Sequence, residues 1–141
     1  MKILKIFTLF LFLTALFSCD NEKIYTPVVN TETIISPELY EKPDDDKTII
    51  DARIVGDLLV VTVGASGCDG STWTGLLIDK GLVAESYPVQ RFVRVKFTNK
   101  EFCLASVSRD FSFDLKPLRV NGDNRITICL TGWEKNLLYV Y

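Results

Sequence analysis

Apolar and polar residues alternate within residues 91–98, with Val93, Val95 and Phe97 on one side and Arg94, Lys96 and Thr98 on the other. A two-residue period marks a strand with one buried face. The same period groups Ile126, Ile128 and Leu130 within residues 125–131, and Phe111, Phe113 and Leu115 against Ser112 and Asp114. Further strands are predicted at Thr48–Val55, 58–63, 71–79, 102–108 and 137–141, all rich in β-branched or aromatic residues. Lys116–Val120 adds at most a short piece. Turn residues separate them at Gly56-Asp57, Lys80-Gly81, Asn99-Lys100, Asn121-Gly122-Asp123-Asn124 and 132–136. The Asn99-Lys100 turn predicts that 102–108 pairs back onto 91–98. No segment carries a helical period of useful length. About eight short strands over residues 48–141 predict an all-β domain, an antiparallel β-sandwich with a barrel as the alternative.

The first twenty residues follow a different pattern. Lys2 and Lys5 precede an apolar run from Ile6 to Phe17, which is too short to span a membrane and suits a secretory signal. Leu16-Phe17-Ser18-Cys19 resembles the lipobox of bacterial lipoproteins, although the bulky Phe17 stands where a smaller residue is usual. The resemblance implies cleavage before Cys19 and lipid on that cysteine, so residues 1–18 are expected to be a lipoprotein signal peptide. Two or three acyl chains would anchor the mature chain stably.

Charge divides what remains. Residues 20–47 carry eight acids and three bases, whereas residues 48–141 carry ten acids and eleven bases. Residues 19–47, punctuated by Pro27, Pro37 and Pro43, are expected to form an acidic flexible tether, with one apolar piece such as Ile34-Ile35 able to pair as an edge strand. Asp44-Asp45-Asp46 reads as a solvated charge run; it lacks the ligand spacing of a calcium loop. The near-neutral domain has no field to recruit nucleic acid.

The chain has no histidine. Ser-His-Asp and Cys-His catalysis and histidine-containing zinc sites are thereby excluded within it. No enzymatic activity, cofactor or metal is expected. With Cys19 assigned to lipid, Cys68, Cys103 and Cys129 allow one bridge in three ways. Cys68–Cys103 is the expected pair, joining a glycine-rich loop to a strand start. Cys129, in mid-strand, is expected to be a small packing residue.

Gly64-Ala65-Ser66-Gly67-Cys68-Asp69-Gly70 is the most unusual local segment. Its glycines allow an anion-binding nest, but no phosphate-loop lysine follows, and Cys68 has no activating histidine. Trp73 and Trp133 are the candidate ligand-binding aromatics, with Tyr87, Tyr139 and Tyr141 behind them.

The general layout resembles small envelope lipoproteins of Gram-negative anaerobes, through Ser66-Gly67-Cys68, Phe102-Cys103-Leu104-Ala105, Phe111-Ser112-Phe113-Asp114-Leu115 and Leu138-Tyr139-Val140-Tyr141. That resemblance implies no activity. The leading expectation is a lipid-anchored envelope protein whose sandwich binds a protein partner or joins an assembly. Carbohydrate binding at the cell surface is the first alternative, and protease inhibition by the 64–72 loop the second. Outer-membrane attachment is expected, although Asp20 after Cys19 matches the inner-membrane retention rule of enteric bacteria.

Overall fold

The computed structural model describes residues 32–84 and 86–141, together with the backbone pairing of Val28 and Val29. The expected signal peptide and Cys19 lie outside the described residues. The elements run β1 (Val28–Val29), β2 (Thr33–Ile35), α1 (Pro37–Glu41), β3 (Thr48–Val55), β4 (Leu58–Gly67), β5 (Thr74–Ala84), β6 (Val89–Thr98), β7 (Ala105–Asp114), a 3-10 turn (Lys116–Leu118), β8 (Arg125–Leu130) and β9 (Leu137–Val140).

Two sheets face each other, ordered β1-β7-β4-β3 and β2-β5-β6-β8-β9. The expected all-β sandwich is the fold. Its core is built by the alternation seen in the sequence. Leu59, Val61, Val63, Phe111 and Phe113 from one sheet pack against Leu77, Val93, Val95, Phe97, Ile126, Ile128 and Tyr139 from the other. An aromatic line crosses it. Trp73 meets Phe97 edge-on at 5.2 Å, and Phe97 meets Phe111 edge-on at 6.3 Å, the geometry that aromatic quadrupoles favour. Gly75 makes room for this line, since a Cβ there would stand 3.1 Å from the Phe111 ring.

The β3–β4 hairpin turns at Gly56-Asp57 as predicted, with Gly56 at φ +59°. Two other expected turns behave differently. Lys80-Gly81 is a bulge, not a reversal: β5 continues to Ala84 with a register shift between Asp79 and Val83. Gly81 takes φ +76° there, and its amide donates to Asp79 Oδ1 at 2.7 Å. A left-handed glycine serves a bulge as well as a turn, so the residue type alone did not separate them.

The second difference reorganises the fold. Residues 102–108 do not pair back onto 91–98. Asn99 anchors the chain instead, donating through Nδ2 to the Ser66 carbonyl at 2.7 Å and accepting from the Glu101 amide at 2.9 Å. The chain then crosses to the other sheet, where β7 pairs antiparallel with β4 over the full run from Ala105 to Asp114. After a second crossing, β8 necessarily points the same way as β6 and pairs with it in parallel. The sheets are therefore mixed, with β1–β7 and β2–β5 also parallel.

Ahead of Thr48, the apolar piece Ile34-Ile35 does pair as an edge strand. Thr33–Ile35 pairs with β5, and α1 follows, capped by Ser36 Oγ accepting from the Leu39 amide at 3.2 Å. Asp44 is no solvated charge. It accepts from Lys47, from Arg94 Nη2 at 2.9 Å and from the Phe97 amide at 3.2 Å. Burial works against its ionised form, yet Lys47, the Phe97 amide and Arg94 outweigh it and hold the carboxyl below its ordinary value. Asp45 accepts from the Asn99 amide at 2.6 Å. Apart from Lys47, these partners lie about fifty residues away, so the local sequence showed only an acidic run.

Candidate functional site

Both connections that carry the chain between sheets at one end of the sandwich, residues 68–73 after β4 and 99–104 after β6, meet there. A Cys68–Cys103 disulfide joins them across a separation of 35 residues, with Cα atoms 4.8 Å apart. The expected bridge is thus present, and it staples the two crossovers to each other.

The glycine-rich segment is shorter as a loop than expected. Gly64 to Gly67 belong to β4 and pair with β7, which leaves only residues 68–73 outside a strand. Gly70, at φ +72°, curls the chain so that successive amides point inward. They do form an anion nest, and Glu101 fills it. Its carboxylate accepts from the amides of Cys68 at 2.6 Å, Asp69 at 3.2 Å, Gly70 at 3.0 Å and Thr72 at 3.4 Å, and from Thr72 Oγ1 at 3.2 Å. Desolvation opposes the charge, but the Gly70, Cys68 and Thr72 amides outweigh it and hold the Glu101 carboxyl below its ordinary value. The nest serves to fix the loop. Residues 64–67 are paired within the sheet, and the nest holds the loop that follows them.

The outcome is a rigid platform that holds two apolar side chains in solvent. Phe102 is 97% exposed and Leu104 is 92% exposed, on either side of the bridged Cys103. Such exposure of a large aromatic on a pinned loop is the kind of feature that marks a contact surface. Sequence periodicity missed it because 102–108 read as a half-buried strand. The signal was Cys103, which ties both neighbours to a loop.

Open hollows flank this end. One of 330 Å³ lies between Ile50, Ala65 and Leu104. A second of 360 Å³ shares Thr48 with it and runs past Lys47, Ile49 and Arg94. A third of 250 Å³ shares Ile49 and Gly132 with the second and ends at Trp133, Glu134 and Lys135. Together they trace a shallow path around the start of β3.

The two candidate tryptophans separate. Trp73 is 3% exposed and belongs to the core, so it is closed to a ligand. The residue lies just ahead of β5 and its ring packs on Phe97. A Cβ at Gly67 would come within 2.8 Å of that ring. Trp133 is half-buried, packs against the core edge and lines the third hollow. Tyr87 is 76% exposed, beneath the Arg125 guanidinium at 4.9 Å. Tyr139 is wholly buried at the opposite end. Its hydroxyl donates to Asp57 Oδ1 at 2.8 Å and accepts from Arg119 Nε at 2.8 Å. That network ties the β3–β4 turn to β9, and the Tyr139 and Arg119 bonds to Asp57 hold its carboxyl below the ordinary value. Tyr141 extends it, exchanging hydrogen bonds with the Val120 backbone.

Cys129 is free and half-buried. The β8 alternation turns it to the outer face of its sheet, beside Gln90 Oε1 at 3.7 Å, and not into the core. Burial pushes its thiol up, so thiolate character is suppressed.

No protein-family model matches the chain, and no curated protein matches it. Solved structures share its fold. A NigD-like immunity protein from Bacteroides caccae superposes with a TM-score of 0.56 at 12% identity, covering 78% of this chain and 63% of that one. A Bacteroides vulgatus protein of unknown function superposes with a TM-score of 0.52 at 16% identity, covering 80% and 57%. The chain therefore spans less than two thirds of the length of either. At these identities the likeness is one of fold.

Proposed function

We propose that the chain is a lipid-anchored, non-enzymatic β-sandwich of the bacterial envelope that works by binding a protein partner. The Cys68–Cys103 disulfide carries this reading. It fits an oxidising, extracytoplasmic compartment, which is where the Leu16-Phe17-Ser18-Cys19 segment would deliver and anchor the chain. Outer-membrane attachment follows the same reading. Binding is favoured by the hollows around β3, which are shallow and mixed in character. They suit the relief of a protein surface better than the deep enclosure a small ligand needs. Trp133 and Lys135 at one end and Ile49 in the middle would supply an aromatic, a charged and an apolar contact. A sugar-binding role would rest on Trp133 and the exposed Tyr87, since Trp73 is in the core. One fold relative is named an immunity protein, which adds nothing beyond the fold.

Two measurements test the reading. Palmitate labelling in cells is expected for the wild type and absent for Cys19→Ser; label retained by the variant rejects the anchor. Pull-down from solubilised envelopes is expected to recover a protein with the wild type and lose it with Trp133→Ser/Lys135→Glu. Equal recovery by both rejects this flank as the docking surface.

A further inference from the structure

Phe102 and Leu104 call for a cover that the fold does not supply. The loop cannot fold inward to hide them, because the disulfide, the Glu101 nest and Asn99 hold it from three sides. Ile50, 52% exposed across the hollow from Leu104, extends the apolar surface.

The chain direction says what lies nearby. β1 pairs in parallel with β7, Val28 opposite Phe111. The chain thus enters β1 from the side of Asp110, which is the side of the disulfide-pinned end. Val28 is nine residues from Cys19, and Phe111 is nine residues from Phe102. Nine residues reach at most about 30 Å. In the direction from which the chain enters β1, that reach extends as far as the exposed Phe102; the Asp57 turn is closer to Val28 but lies on the opposite side, since Leu58 pairs with Asp114 three residues beyond Phe111.

We propose that residues 99–104 form a membrane-contacting tip, with Phe102 and Leu104 entering the headgroup–acyl boundary beside the lipid on Cys19. This rests on the lipid-anchor reading above. An aromatic and a leucine are suited to that boundary. Of the acids nearby, Glu101 faces its own amides, Asp69 accepts from the Ser71 amide at 2.8 Å, and Asp45 accepts from the Asn99 amide at 2.6 Å. Lys100 is exposed at the tip, where its charge is available to lipid phosphates. The domain would then sit down on its anchor and present the β3 flank sideways to a partner.

The test uses the mature chain from Cys19 with Cys129→Ser, so that Cys19 is the one free thiol. A single acyl chain is coupled there through maleimide, because one chain alone gives marginal binding. Partition onto phosphatidylcholine vesicles is compared with that of the Phe102→Ser/Leu104→Ser variant, whose fold is checked by thermal unfolding. The tip is expected to strengthen partition by about tenfold or more, given the apolar area it can bury. Equal partition of the two overturns the proposal, and loss of an envelope protein in pull-down with the same variant then assigns the tip to a protein partner. Chemical coupling makes the result independent of whether cells lipidate Cys19. A tip effect without palmitate labelling sinks the anchor alone, and labelling without a tip effect sinks the tip alone.

Discussion

The Glu101 carboxylate lies 3.0 Å from the Gly70 amide, in a cup that Gly70 shapes by taking φ +72°. A loop that could hold an external anion holds one of the chain's own side chains. The folded Glu101 carboxyl lies below its ordinary value, about 4.3 in an unfolded chain. Between these two values the unfolded state binds more protons. The contribution of Glu101 is therefore complete above the ordinary value and is lost as pH falls through the folded one. Glu101→Gln is expected to flatten that part of the acid-stability profile and to speed hydrogen exchange at the amides of Cys68, Gly70 and Thr72. An acid profile superimposable on the wild type, with unchanged exchange, would remove the nest from the account.

The disulfide staples the two crossovers, so its loss frees both. A closed loop of 35 residues corresponds to about 3–4 kcal/mol in the chain-entropy description. Cys68→Ser/Cys103→Ser is expected to lower Tm by roughly 10–20 °C. Calorimetry with and without reductant checks it. A wild-type transition indifferent to reductant, with free-thiol titration showing the bridge broken, would contradict a stapling role.

Trp73 is the keystone of the aromatic line through Phe97 to Phe111. Trp73→Ala is expected to cost about 3–5 kcal/mol, read as a shift of the urea midpoint. Trp133→Ala, at the half-buried rim, is expected to cost clearly less. Equal losses would mean that the two rings share one environment.

The alternations that signalled strands were local and survived folding, as with Val93, Val95 and Phe97. What they could not carry was the partner of each strand. The residues from Ala105 onward looked like the return arm of a hairpin, and only the bonds of Asn99 and Cys103 to distant groups send them to the other sheet. The site shows the same limit. Cys68 and Cys103 were legible as a pair because cysteines have few possible partners. Glu101 gave no signal, since its amide partners lie 29 to 33 residues away and any acid could have filled the role.

Asp79 and Arg91 form an ion pair inside the sandwich, with Arg91 Nε 3.1 Å from Asp79 Oδ2. Burial raises the Asp79 carboxyl above its ordinary value despite the opposing pull of the Gly81 amide and Arg91. The folded state therefore binds this proton more readily than the unfolded one, and ionising Asp79 costs stability as pH rises above about 3.9. Arg91→Met strands the carboxylate and is expected to cost about 3–5 kcal/mol at pH 7. Asp79→Asn, which strands no acid, is expected to cost less. Lowering the pH from 7 to 5 is expected to restore Arg91→Met more than the wild type. Parallel profiles for the two proteins would show that Asp79 stays hydrated.

The segment before Thr48 gives the last test, because it decides where the domain begins. Thr33 Oγ1 donates to the Asp114 carbonyl at 2.6 Å, and the Ser36 amide donates to the Asp79 carbonyl at 3.0 Å, so the segment ties into both sheets. The α1 helix lies along β5 and β6, where Tyr40 stacks beneath Lys80 and Arg94 at 5.2 and 5.9 Å. Ile78 points to the outer side of β5 by alternation with Leu77, yet it is fully buried. A chain begun at Thr48 would uncover it, and exposing one isoleucine costs about 1.5–3 kcal/mol before the loss of the Asp44 bonds. Such a chain is expected to unfold at a markedly lower urea midpoint than the chain begun at Cys19. Coincident midpoints would show that the domain is complete from Thr48 and that residues 32–47 rest on it without supporting it.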